Sequence, residues 1–131
     1  MQSNNDFTMI FDRLNSLSDG TTDGVNELIF LYLKSMSGHR EEIMKAVKSA
    51  DLKKVERVAH TACGLNEMIG AFILGFLFRD LELSASTGQS SSVESVLKKI
   101  NGEFDLVRGR FIDHAESLTL SSQNHGDRNA P

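Results

Sequence analysis

Hydrophobic residues recur at steps of three and four along most of the chain, the spacing that places them on one face of an α-helix. Breaks in this spacing predict five helices, at about 7–17, 25–48, 52–69, 71–83 and 93–118. We expect Asp23 and Asp51 to cap the second and third helices, because their carboxylates can accept hydrogen bonds from the free amides of a helix N-terminus. Within the second helix, Ser37-Gly38 is a weak point where a kink or a local break is expected.

The same pattern predicts the architecture. Four substantial helices, each with one apolar stripe and short connections, pack most simply as an all-α, up-down four-helix bundle, with the short N-terminal helix as an extra element at one end. The bundle is expected over residues 1–120, and residues 121–131, which have little to bury, are expected to form a flexible tail. The serine-rich segment 84–92 is predicted to be the loop before the last helix.

Composition narrows the class of protein. The chain has 131 residues, of which 40% are hydrophobic and 24% charged, and its net charge is −4. This composition is that of one globular domain, and the acidic balance argues against a nucleic acid or an anionic membrane as partner, since both select basic surfaces. The single cysteine, Cys63, excludes an internal disulfide. With no predicted signal peptide or membrane span, we expect a cytoplasmic protein.

The third helix carries the candidate chemistry. Its apolar positions lie within one arc, which is expected to be buried: Val55, Val58, Ala59, Ala62, Leu65 and Ile69. His60 lies almost opposite this arc and is expected to be exposed. Gly64 follows one turn later, although glycine costs a helix about 1 kcal/mol relative to alanine. Either this glycine leaves space beside the imidazole for a partner, or it lets a neighbouring helix approach closely.

Several residues around this histidine share the spacing of a known domain. Ala59-His60, Gly64, Ile69-Gly70-Ala71, Leu74 and Leu81-Glu82 fall in register without gaps. With this spacing the chain resembles the histidine-containing phosphotransfer (HPt) domain of two-component phosphorelays. The resemblance implies that His60 accepts a phosphoryl group from the aspartate of one receiver domain and passes it to another receiver. An imidazole suits this role, because part of it stays unprotonated and nucleophilic near neutral pH.

The resemblance also implies what surrounds the site. The expected neighbours of the phosphoryl group are Arg57, Gly64, Cys63, Glu67, Lys53 and Arg79, and the expected docking residues are Glu56, Met68, Ala71 and Phe72. The protein is then a phosphocarrier and not an enzyme. It needs no cofactor or metal of its own, since the receiver brings Mg²⁺. The implied partners are response-regulator receiver domains and an upstream (hybrid) sensor histidine kinase, with the carrier itself a monomer.

Four positions depart from the pattern of the resembled domain: Cys63, and Leu65, Asn66 and Glu67, where the domain usually has small residues. Cys63 stands three residues after the histidine, where a lysine or arginine is usual, so that Arg57, Lys53 or Arg79 would have to neutralise the phosphoryl oxygens. Glu67 would repel phosphate, or it would orient the imidazole through an N–H bond or interact with a basic site on a partner. These departures motivate an alternative function, a helical adaptor that binds a receiver domain or another signalling regulator without carrying phosphate.

Other interpretations have less support in the residues. A metal site at His39 and Glu42 lacks the glutamates that di-metal helix bundles require. Cys63 could act as a nucleophile with His60 as its base, but the sequence offers no third group that would orient the histidine. A dimerisation domain of a histidine kinase would carry an H-E-(L/F)-R box, which does not occur in this chain.

Overall fold

The computed structural model describes the backbone of residues 4–129 and the side chains of residues 7–117. Its five helices are α1 (Asn4–Leu17), α2 (Thr22–Lys48), α3 (Leu52–Met68), α4 (Phe72–Ser86) and α5 (Ser90–Asn129). Residues 4–129 contain no strand. The expected all-α fold is confirmed: α2 to α5 form the bundle and α1 is the additional N-terminal helix. Within the same range, no helix combines the length and the apolar character that crossing a membrane requires.

The core forms where the apolar stripes of the helices meet. α3 packs against both α4 and α2, and α4 also packs against α5, so the histidine-bearing helix is supported from two sides. The largest side chains with almost no exposed surface are Phe78, Phe111, Ile10, Leu14, Met36, Ile43, Leu74, Leu81 and Ile100. Burying one such side chain contributes about 1.5–3 kcal/mol. The apolar arc predicted for α3 faces this core, with Leu65 only half-buried.

Aromatic and polar contacts both fasten α1 to the end of the bundle. The ring of Phe11 meets that of Phe111 edge to face, with centroids 5.7 Å apart. Arg13 Nη1 lies 3.3 Å from the carbonyl oxygens of both Glu67 and Met68, at the C-terminal end of α3. The Glu67 carbonyl also accepts from the amide of Gly70, so the arginine is an additional donor there, and it supplies a donor to the Met68 carbonyl at the helix end.

The turn between α3 and α4 sets the register of these two helices. Gly70 adopts a φ of 83°, a left-handed conformation that glycine accepts without the steric cost of a Cβ atom. The amides of Gly70 and Ala71 donate to the carbonyls of Glu67 and Asn66, which closes the end of α3. The chain therefore reverses within residues 69–71, and α4 runs back along α3.

The break considered at Ser37-Gly38 does not occur, because α2 is one continuous helix whose Met36 and Ile43, on either side of this point, are both buried in the core. The predicted cap of α2 was also wrong. The N-cap of this helix is Thr21 and not Asp23, since the Thr21 hydroxyl accepts a hydrogen bond from the amide of Gly24 at 3.0 Å. The predicted cap of α3 is confirmed, with Asp51 Oδ1 accepting from the amide of Lys54 at 3.2 Å.

The predicted loop at 84–92 was too long. α4 continues to Ser86 and α5 begins at Ser90, so only residues 87–89 connect the two helices. Serines are tolerated in the first turn of a helix, where the amides have no helical partner to lose. α5 continues to Asn129, past its predicted end near 118. Side chains after Ser117 lie outside the described residues, so the flexible tail over 121–131 stays a prediction.

A polar contact inside the core fastens α3 to α2. Asn66 is fully buried, although asparagine is a residue type that is mostly exposed. Its Oδ1 accepts a hydrogen bond from the Tyr32 hydroxyl at 2.7 Å, and its Nδ2 donates to the carbonyl of Ala62 at 2.8 Å. Burial raises the pKa of the Tyr32 phenol, so the hydroxyl keeps its proton and remains a donor.

Replacing Asn66 with leucine should lower the free energy of unfolding by about 1–3 kcal/mol, because the buried Tyr32 hydroxyl loses its acceptor. Urea unfolding followed by circular dichroism measures the loss. Replacing both partners, Asn66→Leu with Tyr32→Phe, should recover part of it, since no buried polar group is then left unpaired. A single variant as stable as the wild type would show that the contact contributes nothing.

Candidate functional site

His60 lies on the solvent face of α3, opposite the apolar arc that packs into the bundle. Its side chain is 77% exposed, whereas the preceding Ala59 is fully buried. Neighbouring positions on a helix differ by about 100° around its axis, so burial of the arc forces residue 60 outward. The imidazole is therefore presented to solvent by a helix that the rest of the bundle holds in place.

Glu82 of α4 holds one nitrogen of this ring. Nδ1 of His60 lies 2.9 Å from Oε2 and 3.3 Å from Oε1 of Glu82. A carboxylate can only accept, so Nδ1 carries the proton in this contact. In the neutral ring, Nε2 then has the free lone pair. Within the part of the chain that the structure describes, no hydrogen bond involves Nε2.

No role for Glu82 was predicted, although Leu81-Glu82 belongs to the resembled pattern. The sequence feature that could have predicted the contact between His60 and Glu82 is the helical hairpin, the pair formed by α3, the turn at 69–71 and α4. Two antiparallel helices joined by a short turn bring together residues at similar distances from that turn. His60 and Glu82 are both eleven residues from Ala71 in sequence. The position of the turn at residues 69–71 would therefore have pointed to this pair.

Glu67 has a different partner from the one considered for it. Its Oε1 accepts a hydrogen bond from Arg79 Nη2 of α4 at 2.7 Å, and it lies 3.5 Å from the thiol of Cys63. The carboxylate is thus engaged with a guanidinium, and the interpretation that it orients the imidazole of His60 was wrong. The reason is the register of the helical hairpin, which places Arg79 nearest Glu67 and Glu82 nearest His60.

Gly64 lies on an open part of the surface. A Cβ atom added there meets no side chain and no other helix within 4 Å. Close approach of a neighbouring helix therefore does not explain this glycine, and the open space one turn after His60 remains as the explanation. The close approach of α3 and α4 occurs instead at Gly75, where an added Cβ would lie 3.1 Å from Glu67 Cγ.

Cys63 is buried at the edge of the interface between α3 and α4. Burial raises the pKa of its thiol, and the hydrogen bond to Glu67 raises it further. The side chain is therefore a neutral thiol and a poor nucleophile at neutral pH. It also brings no positive charge to the surface beside His60.

The remaining predicted neighbours are dispersed along the helix. Lys53 and Arg57 are exposed on α3, and neither has an ion-pair partner among the residues whose side chains are described. Glu56 is half-buried. Both cations precede His60, and Arg57, three residues before it, is its neighbour on the helix surface.

An apolar patch lies on α4 beside the C-terminal end of α3. It consists of Phe72 and Phe76, which are 38% and 64% exposed and border one depression with Glu67. Met68 is 52% exposed, but it borders a different depression together with residues of α1 and α2. The guanidinium of Arg13 stacks over Phe72 at 5.4 Å and that of Arg79 over Phe76 at 5.8 Å from the ring centres. The predicted docking residue Ala71 does not belong to this patch. It is fully buried in the turn, because its side chain faces the core.

No group of three or more histidine, cysteine, aspartate or glutamate side chains arranged for a metal ion occurs among the described residues.

No protein-family model matches the sequence, and a search of curated proteins finds no relative. Among solved structures, the chain is similar to the crystal structure of histidine-containing phosphotransfer protein B (HptB) from Pseudomonas aeruginosa PAO1. The similarity covers 81% of this chain and 92% of that chain, with a TM-score of 0.73 and 22% sequence identity. The chain therefore has an HPt-like fold, as the resemblance implied.

Proposed function

We propose that this protein is a phosphocarrier of a two-component phosphorelay, in which His60 accepts a phosphoryl group from a receiver-domain aspartate and passes it to another receiver. The observation that carries the proposal is the arrangement of the His60 ring. The ring is 77% exposed, its Nδ1 is held by Glu82, and Nε2 is directed to no partner within the described part of the protein. The HPt-like fold supports the same role.

In the proposed transfer, the Nε2 lone pair attacks the phosphorus of the receiver's aspartyl phosphate. The Nε2–P bond forms while the P–O bond to the aspartate breaks, and the electron pair of that bond stays on the aspartate carboxylate. No proton has to leave Nε2. The product ring is a phosphoimidazolium, and its positive charge is stabilised by the Glu82 carboxylate through Nδ1–H. The reverse reaction with a second receiver restores the neutral imidazole.

Access to Nε2 follows from the glycine beside it. The open surface at Gly64 leaves room for a tetrahedral phosphoryl group and for the receiver that carries it. Phosphoryl transfer depends mainly on positioning and charge neutralisation, so a carrier needs no general base. The receiver supplies Mg²⁺ and the reacting aspartate. A hybrid sensor kinase upstream, in the cytoplasm, is the proposed source of phosphoryl groups.

The experiment that tests this function is phosphoryl transfer from a receiver domain carrying a ³²P-labelled aspartyl phosphate. Label should appear on the wild type, should be lost in acid as expected for phosphohistidine, and should be absent from His60→Gln. His39→Gln is the matched control and should be labelled like the wild type. Labelled His60→Gln, or a wild type that stays unlabelled with every receiver that binds it, would refute the proposal.

One observation favours the adaptor as a second candidate. The thiol of Cys63 brings no charge to the site, and Arg79 is already paired with Glu67. An adaptor would take no label, and its affinity for receivers would be the same in the wild type and in His60→Gln. Affinities measured by calorimetry for these two proteins, beside the labelling assay, separate the two functions.

A further inference from the structure

The ion pair between Glu67 and Arg79 joins α3 and α4 on the side of His60 that leads to the turn. The Glu67 carboxylate lies 3.5 Å from the thiol of Cys63, the residue before Gly64. Arg79 Nη2 is 2.7 Å from the same carboxylate oxygen. Cys63 and Arg79 are each eight residues from Ala71, so the helical hairpin places Arg79 at the level of the opening at Gly64.

A phosphoryl group on Nε2 would bring a charge of about −2 to this opening. The candidate cations on α3, Lys53 and Arg57, precede His60 in the helix, whereas the opening at Gly64 follows it. Cys63 and Gly64 bring no charge. Arg79 is one turn from Glu82 on the same face of α4, and Glu82 already touches the ring. Arg79 is thus the cation of α4 that lies nearest the opening at Gly64.

We infer that Arg79 is the residue that neutralises the phosphoryl group on His60, and that Glu67 competes with this group for the guanidinium. The inference rests on the proposed function. In the unphosphorylated protein Arg79 pairs with Glu67, and phosphorylation draws it to the phosphoryl oxygens. A guanidinium suits this exchange, because its planar set of five N–H donors matches a carboxylate and a phosphate alike. Arg79 is also 59% exposed, so its side chain is free to change rotamer.

Glu67 is then a positioning residue that acts through Arg79. Its carboxylate holds the guanidinium at the site in the absence of phosphate, and it opposes phosphorylation by keeping part of the positive charge for itself. Removing the carboxylate should favour phosphorylation only while Arg79 is present. That dependence separates competition for Arg79 from direct repulsion between Glu67 and the phosphoryl group.

The test uses zwitterionic phosphoramidate, which needs no receiver. The Nε2–P bond forms, the P–N bond of the donor breaks, and the nitrogen leaves as ammonia. Mass spectrometry of the intact protein measures the rate of phosphohistidine formation, with His60→Gln as the blank. Arg79→Gln should slow phosphorylation about two- to fivefold, and Glu67→Gln should speed it by a similar factor, as expected for an exposed charge interaction. Arg79→Lys should retain part of the rate, and Arg108→Gln, which removes an arginine of α5, should leave it unchanged.

The double variant is decisive. In the Arg79→Gln background, Glu67→Gln should change the rate of phosphorylation less than about twofold. A second readout is NMR: in the wild type, the side-chain Nε–H resonance of Arg79 should shift when His60 is phosphorylated. Equal acceleration by Glu67→Gln in both backgrounds, or an Arg79 resonance that does not move, would overturn the inference. If His60 takes phosphate from phosphoramidate in this manner but from no receiver, the relay function fails and the role of Arg79 stands. A wild type that phosphoramidate does not label at His60 contradicts both.

Discussion

Replacing Gly64 with glutamine should reduce phosphoryl transfer to His60 at least about 100-fold, the scale of loss expected when a reacting group is kept from its productive position. A helical side chain leans toward the N-terminus, so a side chain at 64 lies over the turn that contains His60. The fold should be preserved, because an added Cβ meets no other part of the protein within 4 Å. The helix itself should gain roughly 0.5–1 kcal/mol, since glutamine is a better helix former than glycine.

The rate of labelling from a phosphorylated receiver measures the first effect, and urea unfolding measures the second. Gly102→Gln is the matched control, because Gly102 is an equally open glycine of α5. It should give the same gain in stability with no loss of labelling. Gly64→Ala, which adds only one methyl group, should fall between the wild type and Gly64→Gln. Labelling of Gly64→Gln at the wild-type rate would show that the opening is not the route to Nε2.

Replacing Glu82 with glutamine should slow phosphoryl transfer to His60 about tenfold. Glutamine can still accept a hydrogen bond from Nδ1–H, so ring orientation is kept while the negative charge that stabilises the phosphoimidazolium is lost. Hydrogen bonds to charged groups contribute about 1.5–3 kcal/mol, and the lower end applies here because the carboxylate is partly exposed.

Single-turnover labelling at saturating receiver separates this effect from docking, since binding is complete under those conditions. Asp80→Asn removes a carboxylate from the same helix without touching the imidazole and should label normally. Glu82→Ala, which removes both the charge and the acceptor, should be slower than Glu82→Gln. Equal rates for Glu82→Gln and the wild type would exclude a role for the carboxylate charge in the transfer step.

Residues whose environment is set by one helix alone could be predicted from the sequence. The period of the apolar positions fixes which side of α3 is buried, and from it the exposure of His60 follows. The cap at Asp51 depends only on an amide three residues later. The openness of Gly64 required coordinates, because a helix packed over that glycine would have satisfied the same sequence pattern.

Features that depend on the register between helices could not be predicted in the same way. The contact of Glu82 with His60 and the pairing of Glu67 with Arg79 both need the length of the turn at 69–71. Ala71 was expected at the docking surface, but it faces inward, since helical periodicity does not extend into the turn. Burial of Asn66 depends on Tyr32, which is 34 residues away in the sequence.

The three-residue connection at Gly70 constrains the evolution of this chain in a way that no single substitution reveals. One inserted residue that is taken up into the first turn of α4 would rotate the rest of α4 by about 100° and would displace it along the helix axis by about 1.5 Å. Glu82 would leave the imidazole and Arg79 would leave its carboxylate together. Functional orthologues should therefore conserve the length of the connection at residues 69–71 together with its left-handed glycine, and insertions or deletions should accumulate in the other interhelical segments.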